Sequence, residues 1–177
     1  MAVLRIRTFG DPGLRQRARE VDKITDVHRR LVEDMLETMR AAPGVGLAAP
    51  QVGVQERIFV WEVDDEHGAV VNPVIVESSD EEAVYEEGCL SVPGLYCEVS
   101  RPARIEVRGL DLDGNLLSMS LDEFSARVWQ HEIDHLDGVL FIDRLPPEGR
   151  REALATLRSQ ALGITPPPPA APAEERL

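Results

Sequence analysis

His131-Glu132-Ile133-Asp134-His135 constrains this chain more than any other stretch of it. Histidines four residues apart stack on one face of a helix, about 5–6 Å apart at their β-carbons, so both imidazoles reach one divalent ion. Glu132 then sits close enough to handle the protons of a water polarised by that ion. Phe124, Val128, His131 and His135 fall along one face of the same helix, which predicts that the ligands point inward beside apolar groups. The competing reading is a surface helix with two unrelated histidines. The chain has only four histidines, and two of them are here.

The third ligand decides the chemistry. A motif of the form H-E-x-x-H-x-x-G-x-x-H continues here through Gly138 and then places Phe141 where the last histidine belongs; no histidine follows His135. Glu148 and Glu152 are downstream alternatives, but they follow the Pro146-Pro147 break in an arginine-rich segment. Cys89, in Glu86-Glu87-Gly88-Cys89-Leu90-Ser91, is the better candidate. One thiolate with two imidazoles leaves a fourth position open, which is the catalytic rather than the closed structural arrangement.

Three segments in order then carry a family resemblance. They are Gly44-Val45-Gly46-Leu47-Ala48-Ala49-Pro50-Gln51, Glu87-Gly88-Cys89-Leu90-Ser91 and Gln130-His131-Glu132-Ile133-Asp134-His135-Leu136-Asp137-Gly138. In sequence and spacing the chain resembles the peptide deformylases from Gly10-Asp11-Pro12 to about Leu145. Gly88 before the cysteine resembles the commoner bacterial subgroup.

The resemblance implies removal of the formyl group from the N-terminal formylmethionine of nascent polypeptides, with release of formate. It implies Glu132 as the proton-transfer group, and the Gln51 side-chain amide with the Leu90 backbone N–H as donors to the oxyanion. From the residues alone, Gln51 is equally a buried amide that satisfies backbone groups. Gly44 and Gly46 let a peptide backbone approach closely, or simply form a turn. Val45, Gly46, Tyr85, Gly88, Phe124 and Val128 are the expected lining of a pocket for the methionine side chain, although each also suits a core. A Cys/His/His set binds zinc, iron, cobalt or nickel alike; the resemblance implies Fe2+ in the cell, with Zn2+, Ni2+ or Co2+ able to replace it. A protease cutting internal peptide bonds and a non-catalytic binder of nascent chains are the two other classes. Phe141 disfavours the first, and retention of Glu132 and Gln51 disfavours the second.

The net charge of −13 argues against a surface that binds DNA or other nucleic acid broadly. Cys89 and Cys97 would form a disulfide only in an oxidising compartment. Met1 to Arg7 holds no run long enough for a signal peptide, and no stretch approaches a membrane span, so a reducing cytoplasm, a ligand at Cys89 and an ordinary thiol at Cys97 are expected.

The remaining pattern predicts an α+β fold, with mixed or antiparallel sheets around a central helix carrying the histidines. Residues 1–25 read as an extended entry with a turn at Asp11-Pro12-Gly13. A helix capped by Asp26 carries Val27, Leu31, Met35 and Met39 and stops at Ala42-Pro43-Gly44. Ile58 to Trp61 and Val70 to Val76 read as strands around the acidic turn 64–68, with His67 and His28 solvated. Arg104 to Arg108 and Leu116 to Leu121 form a hairpin about Asp113-Gly114, and Asp122 caps the histidine helix. A last helix over 148–162 carries Leu154, Leu157 and Ala161 as its stripe. Residues 1–163 thus read as one catalytic domain, and 164–177 as a proline-rich tail with no packed core. The resemblance further implies that the last helix docks near the ribosomal exit tunnel. Arg151 and Arg158, with Arg150 beside them, would supply a weak, salt-sensitive contact; solvated arginines on a covering helix are the plainer reading.

Overall fold

The structure, a computed structural model, describes residues 2–163. The tail read at 164–177 lies outside the described residues. The elements are α1 (Asp26–Ala41), β1 (Gly46–Ala48), β2 (Ile58–Val63), β3 (Glu66–Ser78), β4 (Glu82–Cys89), β5 (Val92–Pro102), β6 (Arg104–Leu110), β7 (Leu116–Asp122), α2 (Glu123–Leu136) and α3 (Pro147–Ala161). A five-stranded sheet runs β1-β2-β3-β6-β7, and β4 with β5 makes a two-stranded sheet. Every pairing within them is antiparallel, so of the mixed and antiparallel options the second is the one built.

Helix α1 begins one residue earlier than the capping argument placed it. Thr25 is the N-cap, and its N–H donates to Nδ1 of His28, 2.9 Å away. His28 is therefore a cap, with its Nε2 3.3 Å from Glu56, rather than a solvated side chain. The buried stripe is Val32, Met35, Thr38 and Met39, while Val27 is exposed. This face packs on Leu47, Ile58, Val60 and Val71 of β1 to β3.

Strands β2 and β3 meet at Asp64-Asp65, both at positive φ (52° and 66°), which closes the hairpin in two residues. Strand β3 therefore starts at Glu66, and His67 and Gly68 pair with Glu62 and Trp61 inside the ladder rather than forming a turn. The β6–β7 hairpin forms as expected, from Arg104↔Asp122 to Leu110↔Leu116, with Gly114 at φ 82°.

Helix α2 lies between the two sheets. Trp129 packs edge-on against Phe59, with ring centroids 5.2 Å apart, and joins Val63, Val70, Ile105 and Val107 in one apolar cluster. Asp122 stands at its N-cap, but its side chain makes no capping hydrogen bond; the Glu123 N–H instead donates to the Ala103 carbonyl at 3.1 Å. Gly138 follows the helix at φ 74°, and a Cβ there would come within 2.7 Å of the Arg15 carbonyl oxygen. The chain can turn at that point only because residue 138 has no side chain. Helix α3 buries Ala153 and Leu157 against β5 and half-buries Leu154. Ala161 is exposed, so Ala153 takes the place it was given in the stripe. The apolar stripe thus runs 153, 154, 157, and the last turn of α3 meets β5 through a polar contact instead, Nε2 of Gln160 donating to the Gly94 carbonyl at 3.5 Å.

Candidate metal centre and active site

Residues Ala126 to Leu136 of α2 are buried without interruption, which brings the whole histidine motif into the interior. Cys89 arrives from the end of β4, where a register shift between Glu87 and Cys89 precedes the tight turn to Val92. The thiol of Cys89 and one ring nitrogen from each of His131 and His135 lie within 4.8 Å of one another, all buried. Sγ of Cys89 is 3.2 Å from Nε2 of His135, and the two imidazoles meet edge to face at 5.0 Å between centroids.

The donor chemistry fits a metal ion. Nδ1 of His131 lies 3.1 Å from Oε2 of Glu87. Burial alone would raise the Glu87 carboxyl, but hydrogen bonds from His131 and Arg101 and the Arg101 charge hold it far below the carboxylate range. An ionised Glu87 can only accept, so Nδ1 of His131 carries the proton and Nε2 keeps its lone pair. That Nε2 is buried with no protein partner. Burial and the neighbouring His131 push His135 well below its usual range, so it is a neutral donor. Burial also pushes the Cys89 thiol up, and the Ser91 N–H at 3.4 Å from Sγ offsets this only in part. Binding of an ion must therefore release the thiol proton.

Glu132 stands beside this cluster with both carboxylate oxygens buried and unpartnered. Burial raises it well above the ordinary carboxyl range; the Arg101 charge pulls it down, and Glu87 and Asp134 push it up. Its room comes from Gly46: a Cβ at that residue would lie 2.8 Å from Cδ of Glu132. Gly46 is also paired with Trp61 in β1, an edge strand of the sheet.

Gln51 is held at both ends of its amide. It is 1% exposed, and its Oε1 accepts the Ala48 N–H at 2.7 Å, so the amide does satisfy a backbone group. That bond fixes which end is the donor. Nε2 then faces the cluster, 3.1 Å from Oγ of Ser91 and 3.8 Å from Sγ of Cys89. Leu90, next to Cys89, is half-buried, and its side chain closes over Gly44, where a Cβ would meet Leu90 Cδ1 at 2.7 Å.

The expected pocket residues divide. Val128 is fully buried, and Val45 packs against the same apolar cluster. Tyr85 and Phe124 are exposed, at 57% and 37%, and the Arg127 guanidinium lies 5.2 Å from the Tyr85 ring centroid. Gly88 is buried for another reason: a Cβ there would strike the Tyr96 ring at 2.5 Å. Phe141, in the position of an absent ligand, stacks on His131 at 6.1 Å between centroids. Glu148 and Glu152 are exposed on α3. Cys97 is free and half-buried, and burial raises its thiol.

Sequence reasoning missed the charges packed behind the ligands. Glu87, Arg101, Arg127 and Asp134 are all buried, and Arg144 reaches them from the surface. Arg127 lies four residues before His131 and Asp134 three after it, so helical spacing already put both near the ligand face.

The sequence model described as Polypeptide deformylase matches residues 3–151. A peptide deformylase of Thermotoga neapolitana is 46% identical over 162 residues, covering 90% of this chain and 99% of that one. The crystal structure of peptide deformylase from Thermus thermophilus superposes with a TM-score of 0.86 at 47% identity, covering 92% of this chain and 97% of the other. One from Ehrlichia chaffeensis, in complex with actinonin, gives 0.85 at 41% identity over 90% and 98%.

Proposed function

The chain belongs to the polypeptide deformylase family, and from that premise we propose which of its residues carry the reaction. It is a metallohydrolase that removes the formyl group from the N-terminus of newly made polypeptides. In our reading Cys89, His131 and His135 hold its single catalytic ion. The observation that carries this is the convergence of one buried thiol and two buried imidazoles, with a lone pair of His131 left unpartnered. When bound, the ion polarises water and the formyl oxygen as a Lewis acid.

Glu132 takes the proton of the attacking water as its oxygen adds to the formyl carbon, and returns it to the departing nitrogen as the C–N bond breaks. Formate and a free amino terminus result. The unpartnered carboxylate oxygens and the raised pKa suit a group that both accepts and delivers a proton. Nε2 of Gln51 and the Leu90 N–H receive the oxyanion; the clamp of Ala48 on Oε1 supports this, because it aims the donor end inward. The open edge of β1 supports a peptide lying alongside Val45 and Gly46, with Val45 and Val128 against the methionine side chain and Tyr85 and Phe124 at the mouth. Gly88 keeps the strand close under Tyr96.

Residues 1–163 are the catalytic unit in this reading, and Fe2+ is its ion in the cell, with Zn2+, Ni2+ or Co2+ as substitutes. A cytoplasmic location fits two free cysteines; among the described residues no helix is long and apolar enough to cross a membrane. Arg158 is exposed on α3 and suits a ribosome contact, whereas Arg150 is drawn to Asp143 and Arg151 to Glu148. Offering a formylated tripeptide beside its unformylated twin tests the chemistry: formate release from the first and no internal cleavage of either is expected. Cleavage of the unformylated peptide would overturn the assignment. Metal analysis after anaerobic purification tests the ion, and the iron form should lose activity in air or peroxide while the nickel form keeps it.

A further inference from the structure

The metal ligands come from two separate parts of the fold, Cys89 from β4 and both histidines from α2. A line of alternating charge joins them. Oε1 of Glu87 accepts Nε of Arg101 at 2.6 Å and Nη1 of Arg127 at 2.5 Å. Its Oε2 accepts Nη2 of Arg101 at 2.9 Å and faces Nδ1 of His131 at 3.1 Å. The remaining arm of Arg101, Nη1, donates to Oδ2 of Asp134 at 2.9 Å. Arg144 closes the outer end, with Nη2 2.5 Å from Oδ1 and Nε 3.1 Å from Oδ2 of Asp134. The Arg101 and Glu87 side chains are 3% and 0% exposed, whereas Arg144 is half-exposed.

We propose that Arg101 is a positioning residue for deformylation, holding Glu87 so that His131 presents its lone pair, and holding Asp134 so that the turn bearing His135 stays locked to the strand bearing Cys89. The proposal rests on the Cys89/His131/His135 reading of the metal centre. Its weight lies in the geometry. Arg101 touches both oxygens of Glu87, so the carboxylate cannot rotate away from His131. It also spends its third nitrogen on α2, so one planar group sets the distance between the two elements that share the ion. A lysine offers a single point of charge and cannot span both carboxylates. With Arg101 gone, two buried carboxylates lose their common partner, and Glu87 is left with Arg127 and His131 to settle its orientation. The side-chain hydrogen bonds of Arg101 go to Glu87 and Asp134 and not to Cys89, His131 or His135, so its action on the ion is indirect.

The test uses the full chain with cobalt(II) as the probe. Affinity is read by chelator competition, and the visible absorption of the thiolate-bound ion is recorded for the parent, Arg101→Met, Arg101→Lys and Arg144→Gln. Melting temperature, kcat and KM for a formylated tripeptide are measured alongside. Arg101→Met should hold cobalt about 10–100-fold more weakly than the parent, with an altered spectrum. Its kcat should fall at saturating cobalt while KM stays within about twofold. Arg101→Lys should recover only part of each loss. A variant that melts lower but matches the parent in affinity, spectrum and kcat would show that Arg101 merely holds the fold, and would overturn the proposal. Should Arg101→Met not fold, Arg144→Gln decides: a smaller loss of cobalt affinity upholds the relay, and parental affinity overturns it. A parent lacking the thiolate band would overturn the metal-centre reading itself, and the proposal with it.

Discussion

Helices α1 and α2 are of similar length and both pack on β2, yet they are built on opposite plans. Helix α1 buries one stripe, Val32, Met35, Thr38 and Met39, half-buries Leu31 and Leu36 beside it, and turns Val27, Arg30, Glu33 and Arg40 to solvent. Helix α2 is buried all round from Ala126 to Leu136, and Arg127, Gln130, His131, Glu132, Asp134 and His135 are among the buried. A stripe asks only for apolar volume on one side. A helix with charge inside needs polar partners, and β4 and β5 supply Glu87, Arg101 and the carbonyls of Ala83 and Val99 to Arg127, His131 and Asp134, while Glu132 keeps both oxygens unpartnered. Changes on α1 should therefore cost stability, and changes around α2 should cost chemistry.

The largest break should come at Cys89. Cys89→Ala leaves two imidazoles, fewer than a catalytic site needs, so metal content and deformylation should both be essentially lost. Metal analysis settles it; a full complement of metal in that variant would place the third ligand elsewhere. Gln51→Ala should retain the ion and slow turnover by roughly 100-fold, as removal of an oxyanion donor does elsewhere. If steady-state kinetics show a raised KM at normal kcat, Gln51 positions substrate instead.

On the other helix the effect should change kind. Met35 and Met39 are fully buried, so Met39→Ala should cost about 2–5 kcal/mol in denaturant unfolding. Turnover per folded molecule should remain at the parent's value; a fall in kcat without loss of stability would erase the contrast between the helices.

The smallest effect lies just beyond α2, where Asp143 accepts the Leu140 N–H at 2.9 Å and pairs with Arg15 and Arg150. Burial alone would raise its carboxyl, but the hydrogen bonds from Arg15 and Leu140 and the arginine charges hold it below the ordinary value of 3.8. A depressed carboxyl stabilises the fold fully above its unfolded pKa, and that contribution disappears as pH falls through the folded one. Melting curves of Asp143→Asn and the parent should differ at neutral pH and converge in acid below 3.8. A gap that widens in acid would contradict the pairing.

The same contrast explains what was legible in the sequence. Helix α1 announced itself by spacing, and α3 and the β6–β7 hairpin by stripe, alternation and Asp113-Gly114. Helix α2 was legible through its motif, and Cys89 through the lack of any downstream histidine. Strands β4 and β5 were not. Their inward positions include Glu87 and Arg101, so the residues that build the site's support also erase the apolar alternation by which a strand is recognised. Val27 misled for the reverse reason: it keeps the apolar spacing of α1 yet stands exposed in the first turn, outside the stripe that is buried. His28 was judged by residue type, and only the fold shows Glu56 beside it.

The central claim is that Glu132 moves protons beside an ion held by Cys89, His131 and His135. Metal content and formate release, measured on one preparation of Glu132→Ala, test it most directly. That variant should hold one ion per chain, as in the parent, with turnover down at least about 100-fold, since proton transfer is removed and no ligand is. Near-normal formate release with the ion in place would contradict it.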